Sequence, residues 1–303
     1  MKTIDKLVAV VSHDAGGAEI LSSYLLQNPH QCCFVLEGPS IAIFKRKLGI
    51  CQASSLADAI QISDWVLCGT SWQSNLEKQA ILEARNAGKK VVAFLDHWVN
   101  YRERFEFNGI NVIPDEIWVG DEYGQRLANQ IFPTIPIILV DNPYLKEISK
   151  ELNVIKKKLK NSNHVSILYL CEPILEHALT SYGDERYFGY SEQEALLFFI
   201  KHIPAITKHP VEIVIRPHPS ECIGKYGWIH KTNSNLSIKI NSDCSLIENI
   251  ALADVVVGCE TMAMVLALLA GKRVISSIPV VGKICSLPYS GIEDLRQLVL
   301  EKY

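Results

Sequence analysis

The sequence of 303 residues lacks any long apolar run. A membrane-spanning helix needs roughly 18 or more consecutive apolar residues. The longest candidate, 262–281, is divided by Gly271, Lys272 and Arg273. The apolar run 7–11 near the amino terminus is too short for the core of a secretory signal. We therefore expect no transmembrane segment and a cytoplasmic protein.

The chain also lacks a strong excess of charge of either sign. Its 30 basic and 33 acidic residues give a formal net charge of −3. A protein that binds duplex nucleic acid needs a basic face, so we expect no nucleic-acid partner. The lysines at 156–158 and 160 form the one basic cluster that we single out. They predict a solvated helix face, with peripheral contact to anionic lipid as the alternative.

Metal, disulfide and dinucleotide motifs are absent as well. The nine cysteines include no Cys-x-x-Cys pair, and most stand in apolar runs, as Cys68 and Cys259 do. We therefore expect buried reduced thiols and no structural zinc site. No Asp-x-Asp motif ends a predicted strand, which favours chemistry without a metal. The Gly-x-Gly-x-x-Gly spacing of a Rossmann dehydrogenase is also missing.

What the sequence does contain is a regular alternation of short apolar runs and helix-like segments. Continuous apolar strands separated by helices predict parallel sheets covered on both faces. The predicted strands cover 6–12, 32–38, 64–71, 90–98, 115–121, 136–143, 165–173, 211–220, 236–240, 254–259 and 272–279.

The fold class that follows is α/β, with two doubly wound, Rossmann-like domains that face a cleft. We expect an amino-terminal domain at 1–143, a linker at 144–164, and a carboxyl-terminal domain at 165–303. In such folds, ligands bind beyond the carboxyl ends of the strands. The candidate functional residues are therefore those that follow predicted strands.

In the first half, "VVSHDAGGAEIL" (10–21) joins the first strand to a helix. Its glycines, Gly16 and Gly17, allow close approach of the backbone to a sugar or phosphate. His13 and Asp14 are candidates for substrate binding and proton transfer. A sharp strand-to-helix turn with no ligand is the structural alternative.

A second candidate cluster follows the strand at 90–98. Asp96 and His97 form a plausible acid–base pair at the strand end, or a buried pair that orders the loop. Trp98 and Tyr101 suit stacking on a sugar, although packing is an equally open interpretation. Arg102 and Arg104 lie in the following polar loop, and the sequence assigns them no role beyond that loop.

In the second half, "RPHP" (216–219) follows an apolar strand. Its two prolines restrict the turn, so that Arg216 and His218 can be directed at an anion. Further along, Glu260 and Thr261 begin a helix whose N-terminus is a potential anion site. Glu260 is either a cap or a ligand that accepts from ribose hydroxyls or from a base amine.

Two segments, "VIRPHPSE" (214–221) and "SLIENIALADVVVGCETMAMVLALLAGKRVISSIP" (245–279), carry a resemblance to a known family. They resemble the carboxyl-terminal half of GT-B-fold glycosyltransferases of the bacterial sialyltransferase, capsule-polymer and CDP-glycerol transferase groups. They are also similar to the donor-site segment of UDP-N-acetylglucosamine 2-epimerases, which share the fold. The resemblance implies a donor nucleotide site lined by Arg216, His218, Glu260, Thr261, Ser276 and Ser277.

The leading hypothesis is a metal-independent glycosyltransferase that modifies a glycan or surface-polymer acceptor. Its donor is a nucleotide-activated sugar, with a CMP-linked sugar as one candidate, so no separate cofactor is expected. Asp14 or Asp96, with His97 as a possible partner, would deprotonate the acceptor, and His218 would assist the departing phosphate. The alternatives are a nucleotide-sugar epimerase or hydrolase of the same fold, and a non-catalytic protein that binds a nucleotide or glycan.

Overall fold

The computed structural model describes residues 6–50, 52–71, 74–155, 164–232, 235–240 and 244–301. The chain divides into two compact units, unit 1 at Met1–Glu147 and unit 2 at Ile148–Tyr303. Each unit is built on a six-stranded sheet in which neighbouring strands are parallel. The prediction of two doubly wound α/β domains is confirmed. The lysine cluster 156–160 lies outside the described residues.

Unit 1 contains eight described strands. They are β1 (Leu7–Ser12), β2 (Gln31–Leu36), β3 (Trp65–Cys68), β4 (Lys90–Leu95), β5 (Glu106–Phe107), β6 (Ile110–Asn111), β7 (Glu116–Val119) and β8 (Ile137–Leu139). The main sheet has the order β2-β1-β3-β4-β7-β8, and β5 pairs with β6 in a small antiparallel ribbon. The order reverses direction at β1, as in other doubly wound sheets.

The helices of this half of the chain fill the connections between the strands. They are α1 (Ala15–Gln27), α2 (Pro39–Leu48), α3 (Leu56–Ile62), α4 (Leu76–Asn86), α5 (Glu122–Ile131) and α6 (Pro143–Ile155). The boundary between the two units falls within α6, which occupies the first part of the predicted linker 144–164.

Unit 2 repeats the arrangement. Its strands are β9 (Val165–Leu170), β10 (Val211–Arg216), β11 (Ser237–Ile240), β12 (Val255–Gly258), β13 (Arg273–Ser276) and β14 (Ile292–Asp294). Its helices are α7 (Ile174–Tyr182), α8 (Glu192–Ile206), α9 (Ile229–Thr232), α10 (Leu246–Leu252), α11 (Met262–Leu269) and α12 (Leu295–Leu300). The sheet order is β11-β10-β9-β12-β13-β14.

The apolar strands divide their side chains between two cores. Along β1, Val8 and Val10 pack into one apolar cluster, whereas Ala9 and Val11 pack into another. Because side chains alternate along a strand, a run that is apolar at every position must be covered on both faces. This pattern explains why the strands were recognisable from the sequence.

A capping box begins α8, the long amphipathic helix of unit 2. The side chain of Ser191 accepts a hydrogen bond from the backbone N–H of Glu194, at 3.2 Å, and the carboxylate of Glu194 accepts from the N–H of Ser191 at 2.7 Å. This motif satisfies two N–H groups that would otherwise have no partner within the helix.

No helix in the described ranges combines the length and apolar character that crossing a bilayer requires. The apolar segment 262–281 is divided into α11 and β13, as its glycine and basic residues predict.

Two leucines of α1 test how this helix packs against the sheet of unit 1. Leu21 is fully buried, whereas Leu26, on the same helix, is half exposed. Leu21→Ala should lower the free energy of unfolding by about 2–5 kcal/mol because it leaves a cavity. Leu26→Ala should change it by no more than about 0.5 kcal/mol. Urea denaturation of both variants measures the difference, and equal losses would contradict this packing of α1.

Candidate functional site

Parallel register brings the predicted strand ends of unit 1 side by side. Val11 of β1 pairs with Cys68 of β3, which in turn pairs with Ala93 of β4. The turns that leave these three strands therefore begin at one edge of the sheet. The candidate residues at 13–17 and 96–97 all belong to those turns.

His13 and Asp14 form a hydrogen-bonded pair in the turn between β1 and α1. Asp14 occupies the N-cap position of α1 in an extended conformation, but its side chain makes no cap hydrogen bond. Its Oδ1 instead lies 2.7 Å from Nδ1 of His13, and both side chains are a little over one-quarter exposed. When Nδ1–H donates to this carboxylate, the neutral imidazole keeps a lone pair on Nε2.

The two glycines of this turn lie against neighbouring strand ends. A Cβ atom on Gly16 would lie only 2.0 Å from Oδ2 of Asp96, so a side chain there would displace the carboxylate. Gly17 lies against Gly69, where an added Cβ would be 3.3 Å from the Cα of Gly17. The turn thus brings Gly16 and Asp96 together, as expected if both line one site.

Asp96 forms an ion pair with Arg104. The Nη1 of Arg104 donates to Oδ1 of Asp96 at 2.7 Å and to the hydroxyl of Thr70 at 2.8 Å. Its Nε donates to the carbonyl of Val99 at 3.1 Å. The Arg104 side chain is only 5% exposed. Arg104 is therefore a buried part of the loop after β4, and its guanidinium holds that loop around the end of the strand.

His97, Trp98 and Tyr101 pack into the loop that follows β4. The Nδ1 of His97 accepts the backbone N–H of Trp98 at 2.9 Å, and burial lowers the pKa of this imidazole. The indole Nε1 of Trp98 donates to Asp121 at 2.8 Å.

The rings of Trp98 and Tyr101 are both buried. The recess that Trp98 and Tyr101 line with Asp96 and His97 has a volume of about 10 Å³, which is about that of one water molecule. In this structure, neither ring presents an open face for stacking on a sugar.

Sequence reasoning missed a third acidic residue beside the turn. Glu77, in the first turn of α4, is 1% exposed, and its Oε1 accepts the backbone N–H of His13 at 2.7 Å. Burial raises the pKa of this carboxyl to about 7. A glutamate near a helix start normally indicates a solvated first turn, so the sequence carried no signal of this contact.

In unit 2, Arg216 ends β10 and is held by its neighbours. Its Nη1 donates to the carbonyl of Cys244 at 3.0 Å and to Oδ1 of Asn249 at 2.8 Å. Partial burial lowers the pKa of the guanidinium, which nevertheless stays charged at neutral pH. Arg216 therefore lies at the predicted strand end. Its hydrogen bonds also stabilise the start of α10.

His218 lies in the turn that the two prolines enclose. Its Nδ1 accepts the backbone N–H of Ser220 at 3.2 Å and lies 2.8 Å from the Ser220 hydroxyl. In the neutral ring, Nε2 then carries the hydrogen and can donate it. Partial burial of the ring lowers the pKa of His218, although the residue as a whole remains exposed.

The turn just before the N-cap of α11 already holds a carboxylate of the chain itself. Oε1 of Glu172, just after β9, accepts the N–H groups of Cys259 at 2.9 Å and Glu260 at 3.0 Å. Burial raises the pKa of Glu172 to about 7, although hydrogen bonds from Cys259, Glu260 and Thr261 oppose the shift. The predicted anion site at this helix start therefore contains an internal anion.

The remaining predicted donor-site residues of unit 2 are engaged with nearby backbone and side chains. Thr261 is the N-cap of α11, and its Oγ1 accepts the N–H of Ala263 at 3.4 Å. Glu260 does not cap the helix; its Oε2 accepts the N–H and hydroxyl of Ser286 at 3.1 Å and 2.9 Å.

The hydroxyls of Ser276 and Ser277 are buried. They donate to the carbonyls of Cys259 at 2.8 Å and Gly258 at 3.2 Å, respectively. Both serines hold the turn between β12 and α11.

Among the residues that the structure describes, no group of three or more His, Cys, Asp or Glu side chains is arranged to hold a metal ion.

The fold, but not the sequence, matches known proteins. No family model matches the chain, and no curated protein matches it in sequence. A solved structure similar to it is the UDP-GlcNAc 2-epimerase from Neisseria meningitidis bound to UDP-GlcNAc. The TM-score is 0.61 and the identity 12%, over 98% of this chain and 90% of that chain.

Two further solved structures are similar. MurG of Acinetobacter baumannii has a TM-score of 0.53 and 11% identity, over 98% of this chain and 90% of that chain. The lipopolysaccharide outer core galactosyltransferase WaaB, in its apo form, has a TM-score of 0.52 and 12% identity, over 93% and 82%. At such identities, the comparisons establish the fold alone. The expected GT-B fold is confirmed.

The raised pKa of Glu172 predicts a pH-dependent stability. The folded state keeps this proton up to about pH 7, whereas an ordinary glutamate releases it near 4.5. The folded state thus binds more protons in that window, so wild-type stability falls as pH rises through it. Relative to the wild type, the free energy of unfolding of Glu172→Gln should rise by about 1–3 kcal/mol between about pH 5 and pH 8.

Urea denaturation at several pH values measures this trend. Glu185→Gln, which replaces an exposed carboxylate near α7, is the control and should follow the wild type. A parallel pH dependence in Glu172→Gln and the wild type would show that Glu172 ionises as freely in the folded state as in the unfolded chain.

Proposed function

We propose that the protein is a metal-independent glycosyltransferase. It transfers a sugar from a nucleotide-activated donor to a hydroxyl of a glycan or surface-polymer acceptor. Unit 2 binds the donor nucleotide, and the turn after β1 in unit 1 accepts the proton. The observation that carries the proposal is the pairing of His13 with an Asp14 carboxylate that leaves its own helix uncapped.

The His13–Asp14 pair has the geometry of an oriented general base. Asp14 holds Nδ1–H, so Nε2 is the basic nitrogen and the carboxylate stabilises the imidazolium that forms. Nε2 lies close to Gly38, where an added Cβ would be only 2.7 Å away, so a side chain at this position would block the nitrogen.

In the transfer, Nε2 takes the proton of the acceptor hydroxyl as its oxygen bonds to the anomeric carbon. The bond from that carbon to the donor phosphate breaks at the same time. The proton thus passes to His13, and the electron pair leaves with the nucleotide.

The rival pair, Asp96 and His97, suits this role less well. The Oδ1 of Asp96 is engaged in a buried ion pair with Arg104, which gives this carboxylate a structural role. His97 accepts a hydrogen bond at Nδ1, so its neutral ring carries the hydrogen on Nε2. That tautomer can donate a hydrogen bond but cannot take a proton at Nε2. We therefore assign the base to the turn at 13–14.

On the donor side, we propose that His218 contacts the departing phosphate. Its Nε2–H is the available donor once Nδ1 accepts from Ser220, and Arg216 adds positive charge at the adjoining strand end. Ser276 and Ser277 then act by holding the turn before α11, because their hydroxyls bind its carbonyls. The nucleotide sugar is a substrate, so the proposal needs no cofactor.

A cytoplasmic location agrees with the state of the cysteines. All eight cysteines among the described residues are free thiols. Free thiols are typical of a reducing compartment. We propose no nucleic-acid partner, in keeping with the net charge of −3.

Substitution of Asp14 tests the base. Asp14→Asn should lower kcat of sugar transfer by about 10²–10⁴-fold, because the amide no longer orients or stabilises the imidazolium. Affinity for the donor nucleotide should stay within about twofold, since unit 2 binds it. Asp58→Asn, in the first turn of α3, is the control and should keep wild-type turnover.

The assay supplies CMP-, CDP-, UDP- and GDP-linked sugars with a panel of glycan acceptors. Full activity in Asp14→Asn would remove Asp14 from the mechanism, and no binding of any nucleotide in thermal-shift measurements would overturn the proposal.

The runner-up function is nucleotide-sugar epimerisation or hydrolysis, favoured by the fold shared with the Neisseria meningitidis 2-epimerase. Incubation with UDP-N-acetylglucosamine and no acceptor separates the two reactions. Conversion of the sugar under these conditions would establish the runner-up. Nucleotide binding with neither reaction would indicate a binding protein.

The carboxylate of Glu172 should compete with the donor phosphate for the N-terminus of α11. Glu172→Ala should therefore bind nucleoside diphosphates about tenfold more tightly than the wild type at pH 8, with a smaller difference at pH 6, where Glu172 is protonated. Calorimetric titration at both pH values measures this. Weaker binding by Glu172→Ala would mean that Glu172 itself contacts the donor.

A further inference from the structure

Glu77 forms a buried contact that reaches the candidate base from a distant part of the chain. It lies in the first turn of α4, and its Oε1 accepts the backbone N–H of His13 at 2.7 Å, across 64 residues of sequence. The other carboxylate oxygen, Oε2, is buried and has no hydrogen-bond partner among the described residues. The hydroxyl of Ser12, which precedes His13, is likewise buried and has no hydrogen-bond partner among the described residues.

A carboxylate is an unfavourable choice for a purely structural contact at this position. A single backbone N–H needs one acceptor, and a neutral amide supplies it without a buried charge. A buried carboxylate with a bare oxygen instead incurs the cost of desolvation. The negative charge therefore calls for an explanation that the hydrogen bond alone does not provide.

The charged and titratable groups around Glu77 come from three elements. His13 and Asp14 face it from the turn after β1, Cys68 from the end of β3, and Lys78 from its own helix. Burial raises the pKa of the Cys68 thiol, so that group stays neutral. Asp14 repels the ionised form of Glu77, whereas His13 favours it. An ionised Glu77 therefore adds negative charge beside the His13–Asp14 pair.

We propose that Glu77 is a positioning residue for the His13–Asp14 pair. It holds the backbone of His13 so that Nδ1 meets Asp14, and its negative charge strengthens the imidazole as a base. The catalytic consequence rests on the proposed function, but the effect on the imidazole does not. Burial also raises the pKa of Glu77 to about 7, so its charge changes in the range in which an imidazole titrates.

The experiment follows the imidazole of His13 directly. The Cε1–H resonance of His13, assigned by its loss in His13→Gln, is titrated by NMR between pH 5 and pH 9 in the full-length protein. In the wild type, the resonance should show a second inflection near pH 7, where Glu77 ionises. In Glu77→Gln, that inflection should disappear.

The matched control is Glu83→Gln on the same helix, where the carboxylate binds Gln79 2.7 Å away. It should leave the His13 titration unchanged. Glu77→Gln keeps an acceptor for the His13 N–H, and its circular dichroism spectrum and melting curve report whether it folds. Should it fail to fold, the second inflection in the wild type decides the proposal by itself.

A His13 titration that is single-step in the wild type, or identical in Glu77→Gln, would overturn the proposal.

Activity provides a separate readout. The acidic limb of the kcat/KM profile should move to lower pH in Glu77→Gln, with an unchanged KM for the donor. A shifted imidazole in a protein without transfer activity would support the role of Glu77 and refute the proposed function. Loss of transfer in Asp14→Asn, together with an unaltered His13 titration in Glu77→Gln, would support the proposed function and refute the role of Glu77.

Discussion

The parallel register of the two six-stranded sheets is the constraint on which the candidate sites depend. In unit 1 it aligns the ends of β1, β3 and β4, so that the turn 13–17, the Gly69 backbone and Asp96 start from one edge. In unit 2 it pairs Leu170 with Arg216 and Gly258 with Ser276. Residues that are far apart in sequence become neighbours because every strand points the same way.

The two units use buried carboxylates in different ways at these edges. In unit 1, Asp14 turns from its helix to His13, and Glu77 accepts the N–H of His13. In unit 2, Glu172 accepts the N–H groups of Cys259 and Glu260, in the turn just before α11. Burial raises the pKa of both Glu77 and Glu172 to about 7. Each unit thus carries a buried carboxyl group with a raised pKa near the strand ends at which we propose that a ligand binds.

Much of the fold was predictable because it rests on local pattern. A strand buried on both faces is apolar at every position, and a capping box such as Ser191–Glu194 lies within four residues. The elements that the prediction missed are short. They are α3, α5, α7, α9, α12, β5, β6 and β14, none of which exceeds 10 residues. Such segments bury too few residues for a periodic signal, and their packing against the sheet decides their structure.

The candidate site was predictable only in part. The turn 13–17 and Asp96 were identified as strand-end residues, and the structure brings Gly16 and Asp96 together. The structure also buries Trp98 and Tyr101, which the sequence left open between stacking and packing. Composition cannot separate those alternatives, because an aromatic ring serves either purpose.

The sequence by itself determined the alternation of strands and helices, the two-domain α/β class and the resemblance to GT-B enzymes in the carboxyl-terminal half. Tertiary structure alone decided which acidic residues are buried and what they touch. Glu77 lies 64 residues from His13, and Glu172 lies 87 residues from Cys259. Hydrogen bonds across such separations depend on strand order and register, which emerge only when the whole sheet has formed. Burial, which raises both pKa values, is likewise a property of the assembled fold.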